Sequence, residues 1–294
     1  MNRTLYISTL LAVLSLGVMV ASCGEVYDLN GFDWEADTPP SDSAFNREIQ
    51  ILDLGVDNLP EGHRPLDGDD PLYFSLEKIS SVHIGYKKSE RWDVGLGYAM
   101  IAANNGSYQG LGYGSSAIGG VALVDSAYGE VKMVPSDDQF SVPGNSGLDN
   151  AFGSGPGHML YTAGGNPFHP EKVEWTHGND PELYKEGNFY LHMMYPLSEG
   201  VAEAYPGSYG GYTVKPKTVI VRTAAGNYAK IEIQSVYKGT LDPKQMSRKL
   251  PLNYLSFRYM VIRADEKRFG FVARRPPIKV DMTAKTVTVG ELSE

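Results

Sequence analysis

The sequence predicts an all-β protein: one domain of many short antiparallel strands joined by long Gly-, Tyr- and Pro-rich loops. Three observations predict it. The first is the stretch from Thr213 to Tyr237. Thr218 to Thr223 is nearly continuous in β-branched residues, Ala225-Gly226-Asn227 is a turn signal, and Tyr228 to Tyr237 alternates. Tyr228, Lys230, Glu232 and Gln234 share one face of that second run; Ala229, Ile231, Ile233 and Ser235 share the other. Two such runs around a short Gly/Asn segment read as a β-hairpin, and a hairpin needs further strands to bury its apolar face. The second observation is composition. With 19 tyrosines, 33 glycines and 18 prolines, the chain favours short strands and many turns. The third is that no long stretch repeats at the helical period.

Length and charge narrow the function classes. Of the 294 residues, those after an N-terminal targeting segment fit one large all-β domain or two small ones. A net charge of -9 argues against nucleic acid, whose phosphates require clustered Lys and Arg. One cysteine cannot build a disulfide framework or a Cys-based zinc site.

Residues 1–23 read as a bacterial export signal. Asn2-Arg3 is a short positive region, and Leu5 to Val20 is an apolar run too short for a membrane span. Val20-Ala21-Ser22-Cys23 resembles a lipobox, which implies cleavage before Cys23 and acylation of its thiol. Acyl chains anchor a protein through about 0.8 kcal/mol per buried CH₂. Residues 24–45 are polar, acidic and Pro-containing, the composition of a flexible tether. Asp28, Asp33, Glu35 and Asp37 follow closely on Cys23. Acidic residues at that place direct lipoproteins to the cell surface in some Gram-negative bacteria, and a solvated linker has the same composition.

The β domain is expected over residues 46–275. Ile49 to Leu54 is its first strand, Leu72 to Leu76 the second and Val82 to Tyr86 a third. Between the first two, Asp67, Asp69 and Asp70 lack the spacing and closing Glu of an EF-hand, so the loop reads as solvated. Arg91 to Ala103 alternates, with Trp92, Val94, Leu96 and Tyr98 on one face, and Asn104-Asn105-Gly106 closes it. Gly110 to Gly120 has neither P-loop nor dinucleotide-fingerprint spacing and reads as an irregular loop. Val121 to Val124 and Val131 to Val134 are short strands. Residues 141–188 carry no periodicity, and a long structureless stretch in a compact domain is often functional. Phe189 to Tyr195 has a strand pattern, with Met193 on one face and His192 on the other. Residues 196–211 read as a Gly/Tyr loop. After the hairpin, Tyr254 to Ile262 alternates. Residues 276–294 are expected to be a tail with one strand, Thr286 to Val289.

Catalytic templates are absent. There is no Gly-x-Ser-x-Gly elbow, no His-Glu-x-x-His, and no cysteine in the body of the chain. The chain reads as a non-enzyme. Scattered Asp and Glu could form a glycosidase pair only if folding brought two carboxylates together. What stands out is a set of soft and imidazole donors: His158-Met159 after a Gly-rich run, and His192-Met193-Met194. Imidazole and thioether are the axial ligands of haem iron. Methionine as core filler and histidine as a hydrogen-bonded structural residue account for the same residues.

Four segments give the chain a recognisable look. Val219 to Ile233, Arg91-Trp-Asp-Val-Gly-Leu96, the Gly-rich run ending Gly119-Gly120-Val121-Ala122, and Tyr254-Leu-Ser-Phe-Arg-Tyr259 together resemble the HmuY-like haemophore family, bacterial outer-membrane lipoproteins that capture haem. The similarity spans roughly Ile49 to Phe271, and the lipobox agrees with it. The resemblance implies an all-β fold that holds haem (iron protoporphyrin IX) between loop and strand segments. It implies two axial ligands, both His or with Met substituting. Carried onto this chain, the ligands are His158 or Met159 with Met193, and His192 is the alternate that a one-residue slip would bring in. It further implies a lipid-anchored, surface-exposed outer-membrane protein, shed in part, that passes haem to a TonB-dependent receptor. A thioether ligand predicts preference for ferrous haem. The competing expectation is a surface lipoprotein of the same fold that binds a partner protein or another porphyrin.

Overall fold

The first strand, β1 (Glu48–Gly55), forms where the alternation predicts it. The computed structural model describes residues 44–55, 71–97, 100–107, 114–140, 145–146, 148–149, 157–162, 166–169, 190, 193–209, 212–270 and 275–291. All of these belong to one unit spanning residues 31–294. The Asp67/Asp69/Asp70 loop, Cys23 and His192 lie outside the described residues.

β2 (Leu72–Ser75) and β3 (Ser80–Val82) form a hairpin. Val82 to Tyr86 is not a strand of its own. Ile84–Tyr86 is a 3₁₀ turn, because His83 Nδ1 accepts the Gly85 N–H at 3.0 Å and satisfies the backbone locally. The run Arg91 to Ala103 is two strands rather than one, β4 (Val94–Leu96) and β5 (Ile101–Ala103). The Gly97 N–H bonds Met100 O at 2.8 Å, so the chain reverses at the glycine and the halves pair antiparallel. β6 (Gly120–Val124) follows. Val131 to Val134 makes only a single bridge, Met133 with Arg268, and is not a strand. β7 (Asn145–Ser146) and β8 (Leu148–Asp149) are minimal.

β9 (Met159–Tyr161) and β10 (Met194–Pro196) come next. Of the predicted strand Phe189 to Tyr195, the described residues Met194 and Tyr195 lie in β10, which runs on to Pro196. The loop predicted over 196–211 contains a helix, α1 (Glu199–Ala204), nucleated by Ser198, whose Oγ accepts the Val201 N–H at 3.2 Å. It also contains part of a small hairpin, β11 (Ser208–Tyr209) with β12 (Tyr212–Thr213). The predicted hairpin is β13 (Thr218–Arg222) and β14 (Tyr228–Tyr237), and β15 (Leu252–Ile262) follows. The segment expected as a C-terminal tail joins the large sheet over residues 278–289. It carries β16 (Ile278–Asp281) and β17 (Thr286–Val289). At the other end, Ala44 and Phe45, assigned to the tether, are buried.

The strands form a seven-stranded sheet in the order β17-β16-β1-β15-β14-β13-β6, a five-stranded sheet β3-β2-β4-β5-β7, a three-stranded sheet β10-β9-β8, and the β11-β12 pair. Pairing is antiparallel except for β1 with β16 and β8 with β9. The main core joins the first three sheets. Ile51, Phe74, Leu96, Leu160, Tyr195, Val219, Ile231 and Phe257 all belong to it. Ile220, Tyr228, Ile262 and Phe269 form a second cluster on the other face of the large sheet. Burial on both faces explains why β13 reads as a continuous apolar run instead of an alternating one.

The polar face of β14 is covered too. Lys230 Nζ donates to Tyr128 O at 2.9 Å and Val131 O at 3.3 Å, and it lies 4.2 Å from the Tyr128 ring centroid. Arg258 Nε bonds Glu232 Oε2 at 2.6 Å while its Nη2 bonds Glu199 Oε2 at 2.5 Å. Burial pushes the Lys230 ammonium down to about 8.

Asp93 ties the five-stranded sheet to the hairpin turn. Its Oδ2 accepts from Leu76 N–H (2.7 Å), Glu77 N–H (3.3 Å) and Ser75 Oγ (3.1 Å), and Oδ1 accepts from Ala224 N–H (3.1 Å). Glu77 Oε1 accepts from Thr223 Oγ1 and Asn227 Nδ2 of the same turn.

Candidate functional site

The described donors among those singled out by sequence converge on one short ladder. Met194 pairs with Tyr161, Tyr195 with Leu160 and Pro196 with Met159. The pairing continues at both ends, where Leu197 N–H bonds His158 O at 2.9 Å and Thr162 N–H bonds Met193 O at 3.0 Å. Pro196 is tolerated because β10 is an edge strand of its sheet and this position faces away from β9's hydrogen bonds.

Each described donor is buried. Met193 is 0 % exposed, Met159 1 % and His158 4 %. Met193 is fixed by its surroundings: its N–H donates to Thr162 Oγ1 at 2.9 Å, and its Sδ accepts the Tyr237 hydroxyl at 3.3 Å. The same Tyr237 oxygen accepts the Met194 N–H at 3.0 Å. Burial, and then the Lys217 ammonium, push the His158 imidazole down to about 3. It is therefore neutral near pH 7, with a ring lone pair.

The alternation of the ladder decides which donors share a face. Directly opposed residues point the same way, and successive residues point oppositely. His158, Leu160, Thr162, Met193, Tyr195 and Leu197 are on one face; Met159, Tyr161, Met194 and Pro196 are on the other. Met159 and Met193 are thus on opposite faces. His158 and Met193 share a face but sit four residue pairs apart, about 13 Å along the strands. Two axial donors must approach within roughly 4–5 Å, twice a metal–nitrogen or metal–sulfur bond. Opposite faces keep the Met159 and Met193 thioethers from meeting across one iron, whereas the spacing of His158 and Met193 is a backbone distance that an imidazole and a thioether side chain can span.

Beside this ladder lies an aromatic cluster around a histidine that sequence reasoning missed. His169 Nε2 lies 2.9 Å from the Tyr205 hydroxyl, which also reaches Pro243 O. Phe168 stacks on Tyr205 at 4.1 Å and meets Tyr195 edge-on at 5.0 Å. The His169 ring is 4.6 Å from that of Tyr190. Asn166 Nδ2 binds Tyr190 O and Tyr195 Oη. His169 sits in the aperiodic stretch 141–188, where nothing in the local pattern marks it.

Among the described residues, carboxylates come near one another at Glu199 and Glu232, which share the Arg258 guanidinium, and at Asp93 and Glu77. Burial, then the Glu77 charge, push Asp93 up to about 6. Both oxygens of Asp93 are committed to hydrogen bonds that tie residues 75–77 to the hairpin turn at Ala224, and Glu199 and Glu232 are committed to Arg258, so both pairs read as structural. Among the described residues, no three His, Cys, Asp or Glu side chains group to hold a metal ion, and no helix is long and apolar enough to cross a membrane. No protein-family model matches the chain, and no curated protein matches it.

Proposed function

We propose that the chain is a haemophore-like surface lipoprotein, anchored through Cys23, that binds haem and passes it to a TonB-dependent outer-membrane receptor. The observation that carries this reading is how the four segments of the HmuY-like resemblance relate in space. Gly119 to Ala122 enters β6, Val219 to Ile233 forms β13 and β14, and Tyr254 to Tyr259 lies in β15; these strands are consecutive neighbours in one sheet. The fourth segment, Arg91 to Leu96, supplies Asp93, which bonds the Ala224 N–H in the hairpin turn. Segments scattered over more than 160 residues of sequence thus form one connected unit, which supports treating them as a single family signature. The donors add a neutral imidazole at His158 and thioethers at Met159 and Met193.

A second reading is favoured by the burial of all three donors and by the opposite faces of Met159 and Met193. In it, the protein has the same fold and anchor but binds a partner protein or another porphyrin. Titration of the detergent-solubilised full chain with haemin, before and after dithionite reduction, separates the two. The haem reading expects a saturable Soret shift, tighter in the ferrous state. Absence of a shift in both states would reject it and leave the second reading.

A further inference from the structure

We propose that β17 is a pairing edge for a second copy of this chain, the two β17 strands running antiparallel about a two-fold axis at Thr288. Such pairing does not depend on haem. Among the described residues, β17 ends the seven-stranded sheet and only β16 pairs with it. The opposite end of that sheet, β6, has β5 and β7 beside it. Natural edge strands are blunted by Lys, Pro or a bulge. The sequence of β17 is Thr-Val-Thr-Val, with neither Lys nor Pro, and its register with β16 runs without a bulge. Val289 is 64 % exposed, more than any other large apolar side chain among the described residues.

The backbone of β17 limits the register. The Gly290 N–H bonds Pro277 O at 2.9 Å, so alternate residues Gly290, Thr288 and Thr286 direct their N–H and C=O groups toward β16. The N–H and C=O groups of Val287 and Val289 therefore face outward. Symmetric antiparallel registers that match outward groups with outward groups are centred on Val287, Thr288 or Val289. Centred on Thr288, Val287 of one copy opposes Val289 of the other. The same register sets Lys285, just before the strand, opposite Glu291, just after it, twice by symmetry; both residues are exposed. The other two registers offset these opposite charges by two residues. Val287 and Val289 are opposite Val280 and Ile278, which are buried in the main core, so they point to the core side of the sheet. Pairing thus extends that apolar face and covers Val289. One added strand pair is a small interface, so the association is weak and is best trapped covalently.

The test follows disulfide-linked dimer formation by the full chain in micelles, oxidised by oxidised glutathione. Cys23→Ser removes the one native thiol. Thr288→Cys then places a thiol at the two-fold axis, in a non-hydrogen-bonded pair with Cα atoms about 4.5 Å apart, within the disulfide range. Thr286→Cys is the control: it lies on the same edge, also exposed, but opposite Gly290 of the other copy, about 13 Å from its own equivalent. Dimer should form at least about tenfold faster from Thr288→Cys than from Thr286→Cys. Adding Lys285→Glu to Thr288→Cys should slow it about tenfold, and adding Lys285→Glu with Glu291→Lys should restore it. All four positions are exposed, so equal urea midpoints should show the fold intact in every variant. Equal rates from Thr288→Cys and Thr286→Cys, or no dimer from either, overturn the pairing. A rate that ignores Lys285→Glu, or that the double charge reversal fails to restore, overturns the register centred on Thr288.

Discussion

His158 offers a test of the site that does not depend on any ligand. Its imidazole is buried, beside Lys217, and its affinity for a proton falls from the ordinary 6.5 to about 3. A histidine held neutral in the folded state gains its proton only on unfolding. Folding stability is therefore unaffected above about pH 7 and is lost progressively as pH falls below 6.5, with the loss continuing until the folded value near 3. Between pH 8 and pH 5 the excess uptake covers about 1.5 pH units, which at about 1.4 kcal/mol per unit is a loss of about 2 kcal/mol. His158→Gln removes that proton and should remove that part of the acid sensitivity, whatever its effect on stability at pH 8. Urea unfolding of both proteins at the two pH values gives the difference of differences. Groups such as Asp93 and Glu232, which burial raises and which act in the opposite sense, are common to both proteins and cancel. Equal acid losses in wild type and variant, or an imidazole that titrates by NMR near 6.5, would refute the burial and the neutral state argued for this donor.

Other substitutions probe the frame around the ladder. Asp93→Ala leaves the N–H groups of Leu76, Glu77 and Ala224 without their acceptor and should cost about 3 kcal/mol; a urea midpoint corresponding to less than about 1 kcal/mol would show that the tie to the hairpin is dispensable. Tyr237→Phe frees the Met193 sulfur and strands the Met194 N–H, for an expected loss of about 1–2 kcal/mol by the same assay and faster exchange of the Met194 amide. Gly226→Ala should cost about 1 kcal/mol from its φ of 90°. The nearby Ile118 Cδ1, 2.9 Å from an added Cβ, belongs to a side chain 55 % exposed and can turn away, so a much larger loss would point to a tighter turn than this one.

Much of the sheet was legible because it is local. β1, β6, β13, β14, β15 and β17 follow from β-branched runs, alternation and a Gly/Asn turn that any reader of the sequence can mark. What misled was pairing. Arg91 to Ala103 alternates like one strand, but the chain turns back after Gly97, as the Gly97–Met100 bond and the antiparallel pairing of β4 with β5 show. The 276–294 segment has a modest strand signal, and its place in the large sheet depends on β16 finding β1 in parallel, a contact across more than 220 residues. At the site, His158, Met159 and Met193 were marked by their chemistry. His169 was not, because its aromatic surroundings are assembled from residues 166 to 205.

By itself, the sequence determined the class of the protein: an all-β body whose side chains alternate along strands. It also determined which side chains could donate to a metal, since that depends on residue type alone. Only the tertiary structure decided whether those donors can act together. Alternation assigns relative faces within one strand, but β9 and β10 are separated by more than 30 residues, and their register fixes the faces between strands. That register puts Met159 and Met193 on opposite faces and His158 about 13 Å from Met193. The physical reason is that strand pattern is a property of neighbours in the chain, whereas a ligand pair is a property of neighbours in space.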